Sequence, residues 1–111
     1  MSVDVRPFPR AEWSAIPAQG ATGVESRALL HQDGVFVAQL RFAEHATIHE
    51  HPSPNEIVAL CLEGEGFTSV GADTASIRAG EQARWPPNVP HRLWTEASTM
   101  LTLMIERPVA E

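Results

Sequence analysis

The sequence has 111 residues, a formal net charge of −6 and an apolar fraction of 43%, which fits one domain with its own core. Its positive charges are eight arginines scattered along the chain, whereas nucleic acids and anionic membranes favour clustered basic patches. Lysine and tyrosine are absent, which excludes Schiff-base chemistry on a lysine. We therefore expect no nucleic-acid or membrane partner.

The cysteine count and the first residues indicate a cytoplasmic protein. The lone Cys61 cannot form an internal disulfide, so folding does not require an oxidising compartment. The N-terminus lacks the apolar segment of a signal peptide, and no apolar run is long enough to span a bilayer.

Short apolar stretches between prolines and glycines predict β-strands and no long helix. Residues 11–16 fit a short helix or turn, and residues 20–31 hold an early strand. Seven or more short strands at close spacing indicate a sandwich or a barrel. The later predicted strands are 35–42, 57–62, 67–70, 74–77, 82–85, 91–95 and 99–105.

The segment 57–62 is a continuous apolar run, closed by Glu63-Gly64-Glu65-Gly66. Such a run is typical of a strand that is buried on both faces or lines a barrel. A hairpin turn is predicted at Gly71-Ala72-Asp73. The strand 82–85 is expected to stop at Pro86, because proline cannot donate to a sheet.

A histidine cluster carries the functional prediction. On a strand, residues two apart point to the same side, so His49 and His51 can present two imidazoles to one point. After a turn at Pro52-Ser53-Pro54, Glu56 begins the next strand and can direct its carboxylate towards the same point. Such ligands suit Fe(II), Mn(II), Co(II), Ni(II) or Zn(II). A third imidazole, His91, follows the rigid turn 86–90.

These residues resemble the two motifs of the cupin family, G-x5-H-x-H-x3/4-E-x6-G and G-x5-P-x-G-x2-H-x3-N. The first runs through His49, His51, Glu56 and Gly64; the second runs through Gly80, Pro86, Asn88, His91 and Thr95. The resemblance implies a single all-β domain over residues 1–111, a double-stranded β-helix (jelly-roll barrel). Its core covers about residues 35–107, with an N-terminal extension at 1–20.

The family pattern also implies one divalent transition metal ion, Fe(II) foremost, held by His49, His51, Glu56 and His91. The sequence departs from the pattern at four places. The opening glycine is missing, Asn88 replaces a glycine, and Thr95 replaces the closing asparagine. Seven residues rather than six separate Glu56 from Gly64, which predicts a bulge or a shifted register. A one-residue slip would turn Glu56 to the other face of its strand.

The resemblance leaves three functions open. The first is an Fe(II)-type dioxygenase acting on a small organic substrate, in which Glu56 serves as a ligand or as a catalytic base. The second is a non-redox metal-dependent isomerase, epimerase or lyase, and the third is a non-catalytic module that binds a small molecule. Cupins commonly form dimers, so we expect a homodimer, with residues 3–16 as a segment that can pack across the partner.

Four further residues have two possible locations. Trp85 and Trp94 flank the second motif and are expected in the core, where one facing the cavity would favour an aromatic ligand. Arg41 and Arg84 either enter the barrel, where they would suit a carboxylate, or lie on its solvated outer face, which is the more common position.

Overall fold

The protein is an all-β barrel, as predicted. The structure, a computed structural model, describes residues 2–8, 12–16 and 20–109. Within this part of the chain, no helix is long and apolar enough to cross a membrane. The strands are β1 (Ser14–Ala15), β2 (Ala21–Gln32), β3 (Val35–His51), β4 (Glu56–Val70), β5 (Asp73–Arg78), β6 (Gln82–Trp85), β7 (His91–Trp94) and β8 (Met100–Arg107).

Two long strands, β3 and β4, each belong to both walls of the barrel. The first half of β3 pairs with β8, and its second half pairs with β7. In the same way, β4 pairs first with β8 and β6, then with β5 and β7. Because β7 and β8 each join β3 to β4, these four strands close a ring. The remaining strands extend it, and all pairings are antiparallel.

The predicted break between residues 62 and 67 is wrong: both predicted strands belong to β4. The pairing with β8 shifts register between Cys61 and Glu63, and Gly64 has a φ of 77°. A side chain at Gly64 would collide with the backbone carbonyl of Thr99. Glycine therefore allows the strand to bend from one wall into the other without ending.

The predicted helix or turn at residues 11–16 is also not found. Residue 11 lies outside the described residues, and the segment that follows contains β1, which pairs with β2. The Trp13 ring lies 4.5 Å from the guanidinium carbon of Arg27 and 4.3 Å from that of Arg41. These cation–π contacts hold the segment extended along the outside of β2 and β3.

The core lies inside the ring, where alternate residues of each strand point inward. Polar residues among them are hydrogen-bonded: the Thr102 hydroxyl donates to the Leu40 carbonyl at 3.3 Å. The Thr95 hydroxyl accepts from the backbone N–H of Ala46 at 3.0 Å, and ties the end of β7 to a bend in β3. The buried apolar residues are Val24, Ala38, Leu40, Phe42, Ala46, Ile57, Ala59, Cys61, Ile77, Trp85, Leu93 and Met100.

Candidate functional site

The barrel contains a cavity of about 460 Å³ that is partly open to solvent, with a volume typical of sites for small molecules. Two imidazoles, His51 and His91, reach it from β3 and β7. The strands place apolar side chains around them because these positions alternate with outward-facing ones. The principal apolar lining is formed by Leu40, Ile48, Ile57, Trp85, Leu93 and Met104.

His91 lies in the wall of this cavity as the first residue of β7, with 2% of its surface exposed. Its ring stacks on Trp85, with 4.3 Å between centroids and 8° between planes. The Trp85 indole N–H donates to the Thr68 hydroxyl at 2.9 Å, which fixes the stacking partner in turn. Neither ring nitrogen of His91 has a hydrogen-bond partner among the described residues. The imidazole is therefore oriented mainly by stacking, and the Val89 backbone beside it makes no full hydrogen bond to either nitrogen.

The environment of His91 favours the neutral imidazole. Its pKa is lowered from 6.5 to about 4, mainly by burial and then by the charge of His51, against a weaker opposite effect of the Val89 backbone. An uncharged imidazole can accept a proton at neutral pH. His91 is therefore a buried, neutral imidazole that can accept a hydrogen bond or a proton from a group bound beside it.

His51 faces His91 across the pairing of β3 with β7. Their ring centroids are 4.6 Å apart, at an interplanar angle of 64°. The Nδ1 of His51 lies 2.9 Å from the His49 carbonyl oxygen. Because a carbonyl oxygen only accepts, Nδ1 carries the proton and Nε2 is left as an acceptor. The two imidazoles therefore form one pair at the cavity, in which His91 is buried and His51 is exposed.

His49 does not join this pair. Ile48 is opposite Leu93 and His51 is opposite His91, so three steps along β3 match two along β7. This bulge breaks the alternation on which the His49–His51 prediction depended. The His49 ring instead lies beside Gly20, where an added Cβ would be 2.9 Å from its Cδ2.

Glu56 points to the opposite face of β4 from the cavity-lining Ile57. Its two carboxylate oxygens accept hydrogen bonds from Arg107 at 2.7 Å and from Arg84 at 2.9 Å. Only 14% of the Glu56 side chain is exposed. These bonds, with Arg84 first, hold the pKa of Glu56 at about 2 instead of 4.5. The carboxylate is therefore paired with the guanidinium groups of Arg84 and Arg107 on the outer face of the barrel.

The donor set therefore does not fit a four-ligand metal centre in this arrangement. Among the described residues there is no group of three or more His, Cys, Asp and Glu side chains that could hold a metal ion. Two imidazoles are assembled, while His49 and Glu56 lie elsewhere. The metal site of His49, His51, Glu56 and His91 stays a prediction.

The sequence patterns did not reveal two carboxylates that line the cavity, Glu12 and Glu106. Glu106 lies on β8, and its carboxylate accepts a hydrogen bond from the Asn55 amide at 2.7 Å. Its position two residues after the lining residue Met104 is the period-2 signal that would have identified it.

The two tryptophans and two arginines take different positions. Trp85 lines the cavity, whereas Trp94 stacks on Phe67, with Arg92 over its ring. Arg41 and Arg84 lie on the outer face, where they pair with Glu25 and Glu56.

Several solved structures share this fold. A cupin-like protein from Thermotoga maritima is 20% identical, with a TM-score of 0.79 over 89% of this chain and 80% of its own. A polyketide cyclase from Streptomyces resistomycificus is 18% identical, with a TM-score of 0.80 over 100% of this chain and 87% of its own. A DMSP lyase from Ruegeria pomeroyi is 18% identical, with a TM-score of 0.77 over 91% and 58% of the two chains.

At these identities the structural matches establish the fold alone. No curated protein matches the sequence. The family assignment comes from the sequence itself, because the family model described as "Cupin domain" matches residues 38–106. That segment runs from β3 into β8 and includes the cavity histidines. The chain belongs to the cupin family.

Proposed function

We propose that this cupin domain binds a small, mostly apolar organic molecule in its barrel and acts on it by proton transfer through His91. The observation that carries the proposal is the buried imidazole whose two nitrogens have no partner among the described residues. An unpaired buried polar group costs free energy, about 1–3 kcal/mol. A ligand that supplies a hydrogen-bonding group at this point would remove that cost.

The walls of the cavity indicate the substrate class. Trp85 and the aliphatic side chains around it offer apolar contact to a ring or a short chain. The imidazoles of His51 and His91 offer two nitrogens to one polar group, such as a carbonyl or an enol. A small aromatic or aliphatic carbonyl compound satisfies both demands.

The reaction class follows from the same groups. A neutral imidazole that is held by stacking can remove a proton from carbon or oxygen, and the second imidazole can hydrogen-bond the developing negative charge once it is protonated. Isomerisation, cyclisation and elimination all use such a proton transfer. The names of two similar structures, a polyketide cyclase and a DMSP lyase, agree with this class.

The test is exchange of substrate C–H protons with D2O, followed by NMR over a panel of small ketones, diketones and enols. The wild-type protein should catalyse exchange for at least one class. His91→Gln should slow it by about 10²- to 10⁴-fold, the usual contribution of a general base. His45→Asn is the matched control, since His45 is exposed on β3 and asparagine tolerates its φ of 54°. Equal rates in the two variants, or no exchange with any compound, would overturn the proposal.

The dioxygenase predicted from the sequence is tested in parallel. The protein is loaded anaerobically with Fe(II), and oxygen uptake is measured over diketones, catechols, thiols and enols. If His91 acts as a base without metal, a chelator should leave the D2O exchange unchanged. Oxygen uptake that is lost in both His49→Ala and Glu56→Gln would instead establish the four-ligand iron site and contradict the proposal.

A further inference from the structure

One carboxylate, that of Glu106, belongs to a row of side chains that cross the inner wall of the barrel. Phe36 on β3 is opposite Glu106 on β8, and Glu106 is opposite Ile57 on β4. Ile57 is in turn opposite Trp85 on β6, and all four residues line the cavity. Because neighbouring strands lie about 4.8 Å apart, the backbone at Glu106 is roughly 10 Å from that at Trp85. The carboxylate and the His91 imidazole, which stacks on Trp85, therefore lie at separate positions along one wall.

The Glu106 carboxylate is only partly satisfied by the chain. The Asn55 amide donates to its Oε2 at 2.7 Å, and the Asn55 backbone N–H donates in turn to the Ser53 hydroxyl at 3.1 Å. Its Oε1 has no hydrogen-bond partner among the described residues. The side chain is half-buried, and a negative charge in such surroundings is unfavourable unless a cation lies near it.

No described arginine supplies that cation. Arg27 borders the cavity, but it is opposite Gln39, whereas the next residue, Ala28, is opposite the buried Ala38. Arg27 therefore points to the outer face, where it donates to Gln39 at 2.8 Å and lies over the Trp13 ring. The other described arginines have partners elsewhere: Arg6 with Asp4, Arg41 with Glu25, Arg78 with Glu81, Arg84 and Arg107 with Glu56, and Arg92 with Thr47 and Trp94.

The neighbours of Glu106 favour one kind of cation. Phe36, directly opposite on β3, is 36% exposed and presents an aromatic ring to the same cavity. Aromatic rings attract alkylammonium groups through their negative faces, and a carboxylate beside the ring adds the opposite charge. A second carboxylate, that of the exposed Glu12, also borders the cavity. An alcohol or an amide could satisfy Oε1 but would leave the charge of Glu106 uncompensated.

An independent observation shows that this cavity is built for a ligand. His91 in the same cavity is 2% exposed, and neither of its ring nitrogens has a partner among the described residues. A molecule with a hydrogen-bonding group at one end and a cation at the other would satisfy both the imidazole and the carboxylate.

We propose that the molecule bound in the cavity carries an alkylammonium group, held by Glu106 and Phe36, while its carbonyl lies at the imidazoles. This inference rests on the proposed function, because it takes the cavity as the substrate site. It narrows the substrate from small carbonyl compounds in general to cationic ketones. Glu106 and Phe36 determine specificity and take no part in the proton transfer.

Calorimetric titration with matched ketones tests the inference. Two methyl ketones of the same shape are compared, one ending in a trimethylammonium group and the other in a tert-butyl group, and a third ends in a carboxylate. The wild-type protein should bind the cationic ketone at least about 10-fold more tightly than the neutral one. The carboxylate ketone should bind more weakly than both, because Glu106 and Glu12 repel it.

Glu106→Gln should reduce the preference for the cationic ketone to less than about 3-fold. Glutamine keeps the volume of the side chain and can still accept from Asn55, but it lacks the charge. Phe36→Leu should reduce the preference as well. Glu63→Gln, at an exposed position of β4 away from the cavity, is the matched control and should keep it. Near-ultraviolet circular dichroism of each variant shows whether the tryptophan packing is kept, so that a lost preference is not confused with unfolding.

Exchange of the α-protons of the same ketones with D2O separates this inference from the proposed function. Equal affinities of the wild-type protein for the cationic and the neutral ketone would overturn the inference, even if both ketones exchange. So would a preference that survives Glu106→Gln, or tighter binding of the carboxylate ketone. A preference that depends on Glu106 without any exchange would support the cation site and contradict the proton-transfer function.

Discussion

The first two residues of β4, Glu56 and Ile57, lie on opposite faces of the strand and in opposite chemical surroundings. On the inner face, Ile57 lines a cavity with the two imidazoles, and burial disfavours the charged form of His91. On the outer face, the adjacent Glu56 is ionised and bonded to two arginines. A shift of one residue in strand register would turn the Glu56 carboxylate from the outside of the barrel into the cavity. The comparison shows that local register decides which residues form a site, even when their order along the chain follows the family motif.

The largest expected effect is a difference in the free energy of unfolding between a substitution on the inner face of β4 and one at its bulge. Ile57→Ala should lower the free energy of unfolding by about 2–5 kcal/mol, because Ile57 is only 4% exposed and its truncation leaves unfilled space in the core. Leu62→Ala, at a position that is 42% exposed, should change it by less than about 0.5 kcal/mol. Urea denaturation of the two variants measures both values. Equal losses would mean that β4 is not oriented as described.

A smaller effect is expected from the hydrogen bond that holds Trp85 under His91. Thr68→Val removes the acceptor of the indole N–H and leaves a buried donor unpaired. The free energy of unfolding should fall by about 1–3 kcal/mol, and the rate of D2O exchange should fall as well, since the stacking partner of His91 is no longer fixed. Thr74→Val on β5, an exposed position, is the control. An unchanged exchange rate in Thr68→Val would show that the stack does not position the imidazole.

The smallest effect concerns acid stability and the outer face. The pKa of Glu56 is lower in the folded protein, about 2, than its ordinary value of 4.5. Its contribution to stability is therefore complete above pH 4.5 and is lost as the pH falls towards 2. Glu56→Gln should flatten the pH dependence of the melting temperature in this window. Glu44→Gln, at an exposed position of β3, should leave the slope unchanged. A wild-type slope in Glu56→Gln would contradict the ion pairs.

The fold was largely predictable because alternation and turn residues are local signals. The strand 82–85 has the predicted bounds, and the hairpin at Gly71-Ala72-Asp73 connects β4 to β5. The count of seven residues between Glu56 and Gly64 also predicted a bulge, which the structure places between Cys61 and Glu63. Spacing within a motif is enough to detect an extra residue in a strand.

Other features depend on contacts that no local pattern reveals. The bulge between Ile48 and His51 follows from pairing with β7, at least forty positions along the chain, and nothing in His49-Glu50-His51 marks it. The extended segment at Trp13 depends on Arg27 and Arg41 from two other strands. Each requires knowledge of which strands are neighbours.

The Glu56 side chain points to the outer face of the barrel, between Arg84 and Arg107, and not into the cavity. NMR titration of its ¹³C-labelled carboxyl group, in the wild-type protein and in Arg84→Gln, tests this direction. With the carboxylate between Arg84 and Arg107, the pKa should be about 2 and should rise towards 4.5 in the variant. A pKa at or above 4.5 that does not respond to Arg84→Gln would place Glu56 in the cavity with the histidines and contradict the arrangement described.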